Sequence, residues 1–160
     1  MIKRIRAALL ALCMALSLAH VPALAQVTIG KCGKNVYYSY DSSTKALTIT
    51  GTGDMTSYEI SLPAPWKSFR EEIENVSIAS SVTGIGSYAF YSCRGLTSIT
   101  IPDGVTSIGE SAFNECYNLE HITIPDSVTS IGDKAFYLTA YYVERTNREN
   151  GVLYIGNHLI

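Results

Sequence analysis

Three consecutive blocks of equal length, at 70–92, 93–115 and 116–138, align without a gap. The second and third blocks are identical at more than half of their positions, among them an initial Cys and an Ala-Phe pair near the end. The first block is looser, but it keeps Ile, Val, Gly and Ala-Phe at matching positions. A fixed period of this length is typical of solenoids, in which each repeat is one small structural unit. The repeat therefore limits the fold more than any other feature of the sequence.

Within one block the spacing of the apolar residues changes twice. Residues 96–101 end in an alternating pattern and are closed by Pro102, which predicts a short strand followed by a turn. Val105 and Ile108 indicate a second short strand. At 110–117 the apolar side chains recur three or four residues apart, which predicts one or two helical turns. Each block is therefore predicted to be a coil of strand, short strand and short helix.

A single block cannot fold alone, because its few inward side chains do not offset the conformational entropy of ordering the whole block. Stacking buries both open ends of a coil and pairs its strands in parallel with those of its neighbours. The sequence therefore predicts an α+β repeat fold, a right-handed solenoid with columns of equivalent side chains. The predicted columns are Ile78/Ile101/Ile124, Ile85/Ile108/Ile131 and Phe90/Phe113/Phe136.

The segment 26–69, before the repeats, is predicted to cover one end of the solenoid. It contains a hairpin pattern at 35–51, with two alternating runs around a polar turn. Pro65-Trp66 then opens a predicted helix that runs to about Glu74. We interpret the segment as an N-terminal β-hairpin and helix cap. Trp66 is interpreted as a plug against the core, with a ligand platform as the alternative.

The segment 139–160, after the repeats, is predicted to form a C-terminal β-hairpin over 151–160. The Cys column stops here, so the repeat pattern is broken from Thr139 onward. The chain stops on Ile160, an apolar strand residue. A truncated or incomplete product is therefore one interpretation of this end.

Residues 1–25 have the three parts of a secretory signal peptide: three basic residues, an uncharged apolar run and an Ala-Leu-Ala ending. We expect cleavage after Ala25 and an extracellular or cell-surface location, with an uncleaved anchor as the alternative. After cleavage no membrane span is expected. The segment holds none of the 14 acidic residues, so the remainder is more acidic than the whole chain, whose net charge is −2. That balance argues against a nucleic-acid partner, which needs clustered Lys and Arg.

The pattern Cys-x-x-Leu-x-x-Ile-x-Ile-Pro-x-x-Val-x-x-Ile-Gly-x-x-Ala-Phe, at 93–113 and 116–136, closely resembles the BspA-type leucine-rich repeat of bacterial surface antigens. The upstream stretch with Cys32-Gly33 and Pro65-Trp66 is similar to a segment that often precedes such repeats in secreted bacterial proteins. The stretch 151–157 is similar to an insert that these proteins carry. The resemblance implies a leucine-rich-repeat solenoid in an exported, non-catalytic surface protein, with adhesion as its commonest role.

Two features depart from the usual pattern of that family. The array is much shorter than is usual. Tyrosines fill the first hairpin where a Trp is often found, at Tyr37, Tyr38 and Tyr40.

Three cysteines remain after the signal peptide, an odd number for an oxidising compartment. Cys93 and Cys116 share one column, so their backbones should lie about 4.8 Å apart, near the lower end of disulfide reach. A Cys93–Cys116 disulfide and two free buried thiols are both compatible with this spacing, and inward-facing Cys favours the free thiols. Cys32 is then unpaired or forms an intermolecular bond.

Sequence motifs for hydrolases, P-loop proteins and zinc sites are absent. His121 is predicted on the outward face of a repeat strand, and Glu120 beside it points to the other face. His158 lies in the closing hairpin. Asp103 and Asp126 form a column that we interpret as turn residues rather than calcium ligands. We therefore predict no enzyme activity, no catalytic residues, no metal and no cofactor.

Two surfaces remain as candidates for recognition. One is a flat polar strand face, of roughly 200 Å² in plan, which is well below the roughly 800 Å² per partner of a standard interface. The other carries tyrosines, which supply contact area at low entropic cost but pack equally well over neighbouring coils. The strand face comprises Asn75, Ser77, Ser98, Thr100, His121 and Thr123, and the tyrosines are Tyr88, Tyr91, Tyr117 and Tyr137.

From these features we predict an exported, adhesin-like module that binds an extracellular or cell-surface protein, from a host or a neighbouring bacterium. Binding through so small a face would be weak or multivalent. The alternative is a structural N-terminal fragment of a longer cell-surface repeat protein whose activity lies downstream.

Overall fold

The computed structural model describes residues 26–144, 148–149, 152–155 and 157–159. The predicted signal peptide lies outside these residues. The described chain consists mainly of short strands joined by turns. In chain order the strands are β1 (Val27–Lys31), β2 (Gly33–Asp41), β3 (Ala46–Met55), β4 (Asn75–Ile78), β5 (Val82–Ile85), β6 (Ser98–Thr100), β7 (Ser107–Ile108), β8 (His121–Thr123), β9 (Ser130–Ile131), β10 (Arg148–Glu149), β11 (Val152–Ile155) and β12 (His158–Leu159).

The N-terminal strands continue directly into the sheet of the repeats. Strands β1, β2 and β3 form an antiparallel meander, and β2 and β3 are the two strands of the predicted hairpin. Strand β3 then pairs in parallel with β4 through its first half and with β5 through its second half. The ladder continues from β5 to β7 and from β7 to β9. The hairpin therefore extends the solenoid sheet rather than forming a separate layer.

The strand register repeats with the period of the three blocks, as their alignment predicts. Ile108 lies opposite Ile85 on one side and opposite Ile131 on the other. One predicted pairing is wrong, because β6 pairs with β8 while β4 pairs with β3 only. The first block has Arg70 where the other blocks have a buried Cys, and Arg70–Glu72 forms a 3-10 turn that enters the strand by a different path. The strand-face column is therefore hydrogen-bonded only between the second and third blocks.

The predicted helix in each block is wrong, and a run of tight turns takes its place. In the second block Ser111 (φ 52°) and Glu115 (φ 62°) adopt the left-handed conformation, which interrupts an α-helix. The equivalent residues of the other blocks do the same: Tyr88, Ser92, Lys134 and Leu138. Backbone amides instead bond to the next coil, as Phe113 N–H does to the carbonyl of Ala135 at 2.7 Å. Hydrogen bonds between coils thus replace helical bonds within a coil.

The helix predicted from Pro65 to Glu74 is likewise wrong. The amides of Lys67, Phe69 and Glu72 each donate to the carbonyl three residues earlier, so this segment is a series of tight turns. Residues three apart lie on one side of such turns. Trp66 and Phe69 can therefore both face the N-terminal hairpin, where Trp66 meets Tyr38 edge-on and Phe69 stacks on Tyr40.

Beyond the repeats, the described chain contains one α-helical turn and a small separate sheet. The helical turn, α1 (Ala140–Val143), begins at the break in the repeat pattern, and Thr139 Oγ1 caps it by accepting from Tyr142 N–H at 3.0 Å. Strands β11 and β12 form the predicted C-terminal hairpin, and β10 pairs with β11 in addition.

A column of stacked rings runs through the core of the solenoid. Phe90, Phe113 and Phe136 are fully buried and stack nearly parallel, with centroids 5.1 and 5.3 Å apart. Trp66 continues the column on the N-terminal side, 5.7 Å from Phe90, and its Nε1–H donates to the carbonyl of Ala89 at 2.8 Å. Trp66 is 1% exposed, which agrees with the plug interpretation and not with a ligand platform.

The cysteines belong to the same core. Cys32, Cys93 and Cys116 are all free thiols and all buried, so of the two predicted alternatives the structure has the free thiols. The thiol of Cys116 donates to the carbonyl of Phe90 at 3.1 Å. Burial raises the pKa of Cys32 and of Cys116 to about 12, and it also raises the pKa of Cys93. These thiols act as small apolar side chains.

The left-handed turns predict an unusual order of stability at Lys134, an exposed residue with φ 57°. In an α-helix Ala is more stable than Gly by about 1 kcal/mol. At a left-handed position the order reverses, so we expect Lys134→Gly to be more stable than Lys134→Ala by about 1 kcal/mol. Urea unfolding of the two variants measures the difference. A more stable Ala variant would mean that this segment is helical in solution.

The buried thiols predict a loss of stability in alkali. Above about pH 9 the unfolded chain releases thiol protons that the folded chain retains, so the free energy of unfolding should be constant near pH 7–8 and fall between pH 9 and 10. The slope can reach about 1.4 kcal/mol per pH unit for each thiol. Chemical unfolding at a series of pH values measures it. Cys116→Ala should reduce the slope, and a stability that is unchanged from pH 7 to 10 would contradict the prediction.

Candidate functional site

The six polar residues of the predicted strand face are all exposed. They lie on the three short strands β4, β6 and β8, and Thr100 lies opposite Thr123 in the β6–β8 ladder. Asn75 and Ser77 belong to β4, which is not hydrogen-bonded to that ladder. The face is therefore a flat surface in two parts, which presents side chains without enclosing a ligand.

The two described histidines lie on different strands. His121 is exposed on β8, within the strand face. His158 is half-buried, and its Nε2 lies 3.2 Å from the carbonyl oxygen of Pro125. That contact joins the C-terminal hairpin to the turn of the third block. Asn157 donates to Asp126 at 3.1 Å in the same place, so Asp126 is part of this junction.

The four predicted tyrosines divide into a half-buried pair and two exposed residues. Tyr88 and Tyr91 are half-buried, and their ring centroids lie 5.8 Å apart. Tyr117 is 44% exposed beneath the guanidinium of Arg94, and Tyr137 is 38% exposed and meets Tyr142 edge-on. Each tyrosine therefore contacts a neighbouring side chain, and only the first two lie together.

Glu115 fixes Tyr91 in position. The hydroxyls of Tyr91 and Ser92 both donate to its carboxylate, and a guanidinium nitrogen of Arg94 lies 3.9 Å away. The hydrogen bond from Tyr91 is the main cause that lowers the pKa of Glu115, while the same bond raises the pKa of Tyr91. The carboxylate thus stays charged, and it ties the Tyr91 hydroxyl of the first block to the second block.

A cleft of about 270 Å³ lies between the 59–67 loop and the first repeat block, beside this tyrosine pair. Tyr88 and Tyr91 line one side, and Trp66 borders it from within the core. Concave sites with apolar walls and a few polar groups are the usual form of a binding pocket. The cleft is therefore the best-formed candidate site among the described residues.

The charge of the cleft is set by two cations. Lys67 is exposed and Arg70 is half-buried, and both line the cleft together with one carboxylate, Glu59. The Arg70 guanidinium lies over the Tyr91 ring, 5.5 Å from its centroid. Among the described residues no carboxylate lies within 4.0 Å of either cation. A ligand that carries an anionic group could therefore pair with both.

The sequence indicated only part of this site. Tyr88 and Tyr91 are among the predicted residues, but Lys67 and Arg70 were missed, since they lie in a segment expected to be an ordinary helix. The feature that points to this region is the neighbouring loop 59–62. Its apolar residues Ile60 (67% exposed) and Leu62 (71% exposed) are exposed to solvent beside the cleft.

Two kinds of feature are missing from the described residues. Within the described ranges, no three His, Cys, Asp or Glu residues are grouped so that they could hold a metal ion. Over the same ranges, no helix has the length and apolar character needed to cross a membrane.

Comparison with known proteins identifies relatives of the repeats. Residues 67–160 match a family profile described as "BspA type Leucine rich repeat region (6 copies)". A crystal structure of a leucine-rich repeat protein from Eubacterium ventriosum is 26% identical, with a TM-score of 0.58, over 72% of this chain and 36% of that one. Another leucine-rich repeat protein, from Bacteroides ovatus, is 38% identical over 42% of this chain and 18% of that one, with a TM-score of 0.42. No curated protein matches.

The chain thus spans about a third of the length of the Eubacterium protein. The profile match covers more than half of the chain, including the repeat blocks that carry the stacked core. The predicted resemblance is therefore confirmed, and the chain belongs to the BspA-type leucine-rich-repeat family of bacterial proteins.

Proposed function

We propose that this protein is an exported, non-catalytic interaction module that binds an extracellular or cell-surface protein in the manner of an adhesin. The leucine-rich-repeat family is one of protein-interaction repeats, which supports the class of function. The signal-peptide pattern at 1–25 supports export. In this proposal 26–69 caps the array, 70–138 are the repeats, and 139–160 close the other end.

The observation that carries the proposal is the cleft beside Tyr88 and Tyr91. The cleft is concave, whereas the strand face is flat and divided. A concave apolar site buries more of a ligand's surface than a flat one does. Its aromatic walls are held by hydrogen bonds: Trp66 donates to the carbonyl of Ala89, and Tyr91 donates to Glu115. A preformed site loses little entropy when it binds.

The chemistry of the cleft favours one kind of partner group. Its volume of about 270 Å³ is below that of drug-sized pockets and suits a single large side chain. Lys67 and Arg70 at its edge favour a carboxylate next to that side chain. We therefore propose that the cleft binds an apolar, preferably aromatic, side chain of a partner protein that is adjacent to a carboxylate.

The second candidate function is a structural one, in which this chain is part of a longer surface array. The coverage of 36% of the Eubacterium protein favours it. The two functions are compatible, because the cleft is formed by residues 59–91 and includes no residue of the later blocks.

The single Trp of the sequence borders the cleft, so its fluorescence reports on binding. We expect N-acetylphenylalanine to change the emission of Trp66 in a saturable way at millimolar concentration. N-acetylphenylalanine amide has the same ring without the charge, and its dissociation constant should be higher by at least about threefold. Lys67→Met should reduce this difference, and the matched variant Lys34→Met, an exposed lysine on β2, should retain it.

A second measurement connects the cleft to a protein partner. The protein expressed from its full sequence and immobilised at high density should retain extracellular-matrix or bacterial surface proteins, and N-acetylphenylalanine should release them. Equal binding of acid and amide would contradict the anionic part of the proposal. Retention that N-acetylphenylalanine does not reduce would contradict the role of the cleft, and no retention at all would contradict the interaction function.

A further inference from the structure

Strand β1 is the outer edge of the continuous sheet. It pairs with β2 along its whole length, and in the described part of the chain β2 is its only partner. The opposite side of β1 therefore presents unpaired backbone groups. An unpaired strand edge is a template on which another strand can form hydrogen bonds.

The pairing with β2 determines which backbone groups face outward. Ser42 N–H donates to the carbonyl of Gln26, which makes Gln26 and Ser42 a hydrogen-bonded pair. Such pairs alternate along an antiparallel ladder, so Thr28 and Gly30 also bond to β2. The N–H and C=O groups of Val27, Ile29 and Lys31 therefore point away from β2. These three residues form the open edge.

The side chains of the same three residues lie on the outer face of the sheet. Val27 is 56% exposed and Ile29 is 75% exposed, and Tyr37, opposite Lys31 on β2, is 49% exposed. The other face of β1 and β2 is covered, since Tyr38 and Tyr40 are buried. The open edge thus combines free hydrogen-bonding groups with an apolar surface.

Soluble proteins usually protect such an edge with a proline, a bulge or several charges. Strand β1 has no proline, its ladder with β2 has no register shift, and Lys31 at its end is its one charged residue. The irregular register of the hairpin lies instead between β2 and β3, at Gly33 and Asn35. Strand β1 is therefore regular and open to pairing along its length.

We propose that β1 pairs antiparallel with β1 of a second copy of this chain, with Ile29 opposite Ile29 at a two-fold axis. This self-association goes beyond the proposed ligand binding and does not depend on it. The register joins the outward groups of Val27, Ile29 and Lys31 in about six hydrogen bonds. It also places two apolar Ile29 side chains on one face as a cross-strand pair.

The charges select a second copy in this register. Lys31 of each copy lies opposite Val27 of the other, so the two lysines are separated along the strands by about 13 Å, which exceeds the screening length. Asp41 lies beside Val27 on the outer face, in the row that Lys31 of the second copy joins. The pairing thus sets opposite charges in one row and keeps like charges apart.

The size of the contact predicts a weak, closed dimer. Two strands of this length extend about 17 Å, which gives a contact well below the roughly 800 Å² per partner of a stable interface. The two-fold axis uses the β1 edge of both copies, so the pairing does not extend to a polymer. We expect dissociation at micromolar concentration and dimer formation toward the millimolar range.

Sedimentation equilibrium of the protein expressed from its full sequence, from 10 μM to 1 mM, tests the proposal. We expect a monomer–dimer equilibrium. Ile29→Lys places two like charges directly opposite each other and should raise the dissociation constant at least about tenfold. Val27→Pro removes an outward N–H at the first strand position, where proline is tolerated, and should weaken the dimer severalfold. The matched control is Thr52→Lys, which adds the same charge on the outer face of β3, away from the edge.

Circular dichroism should show the same spectrum for all variants, because the replaced side chains are exposed. A protein that stays monomeric at 1 mM would overturn the proposal. So would a dimer that persists in Ile29→Lys, a dimer that Thr52→Lys weakens equally, or an assembly larger than a dimer.

Discussion

The backbone hydrogen bonds between successive coils are the interaction on which the rest of the structure depends. At the turn side of the solenoid, the amides of Phe90 and Phe113 donate to Ala112 and Ala135 of the next coil. A coil thus has its polar groups satisfied only when its neighbour is present, and an unpaired buried amide is costly. The same bonds hold the phenylalanine column at a spacing of 5.1–5.3 Å, where the rings stack. Stability is therefore a property of adjacent coils. The hairpin β2–β3 is the neighbour of the first coil, because β3 pairs with both strands of that coil, β4 and β5.

This dependence explains which parts of the fold the sequence could predict. The register of the repeat is read from columns such as Ile85, Ile108 and Ile131, because identical residues at identical positions must meet when coils stack. The helices were predicted wrongly, since Ala112, Phe113 and Cys116 bury the same side chains in a helix and in a series of tight turns. Glycine would have signalled the left-handed positions, but Ser111, Glu115 and Lys134 occupy them. The bonds to the next coil stabilise these residues in a conformation that the local sequence does not favour.

The candidate site also depends on contacts between parts of the chain that are distant in sequence. Tyr88 and Tyr91 could be selected from the sequence because they lie outside the repeated core positions. Lys67 and Arg70 belong to the turns that precede β4, and it is the stacking of Trp66 on Phe90 that brings these turns against the first coil. No local pattern encodes that contact. Glu115, which accepts from the Tyr91 hydroxyl, comes from the following block and lies outside the cleft, so the position of the Tyr91 wall depends on a residue that does not line it.

The two proposed surfaces lie on the N-terminal part of the molecule and use different residues. The cleft is lined by residues 59–91, whereas the self-pairing edge is residues 27–31, so a dimer through β1 uses no residue that lines the cleft. Each copy contributes the same sheet, which runs from β1 through β3 to the repeats, so the pairing joins the two sheets edge to edge. One such dimer carries two clefts, which could both bind to a surface that displays repeated ligands. The second binding event is then intramolecular, and the separation of the two clefts sets its effective concentration. A cleft that holds one side chain weakly is then assisted by the second cleft for as long as the two copies remain paired.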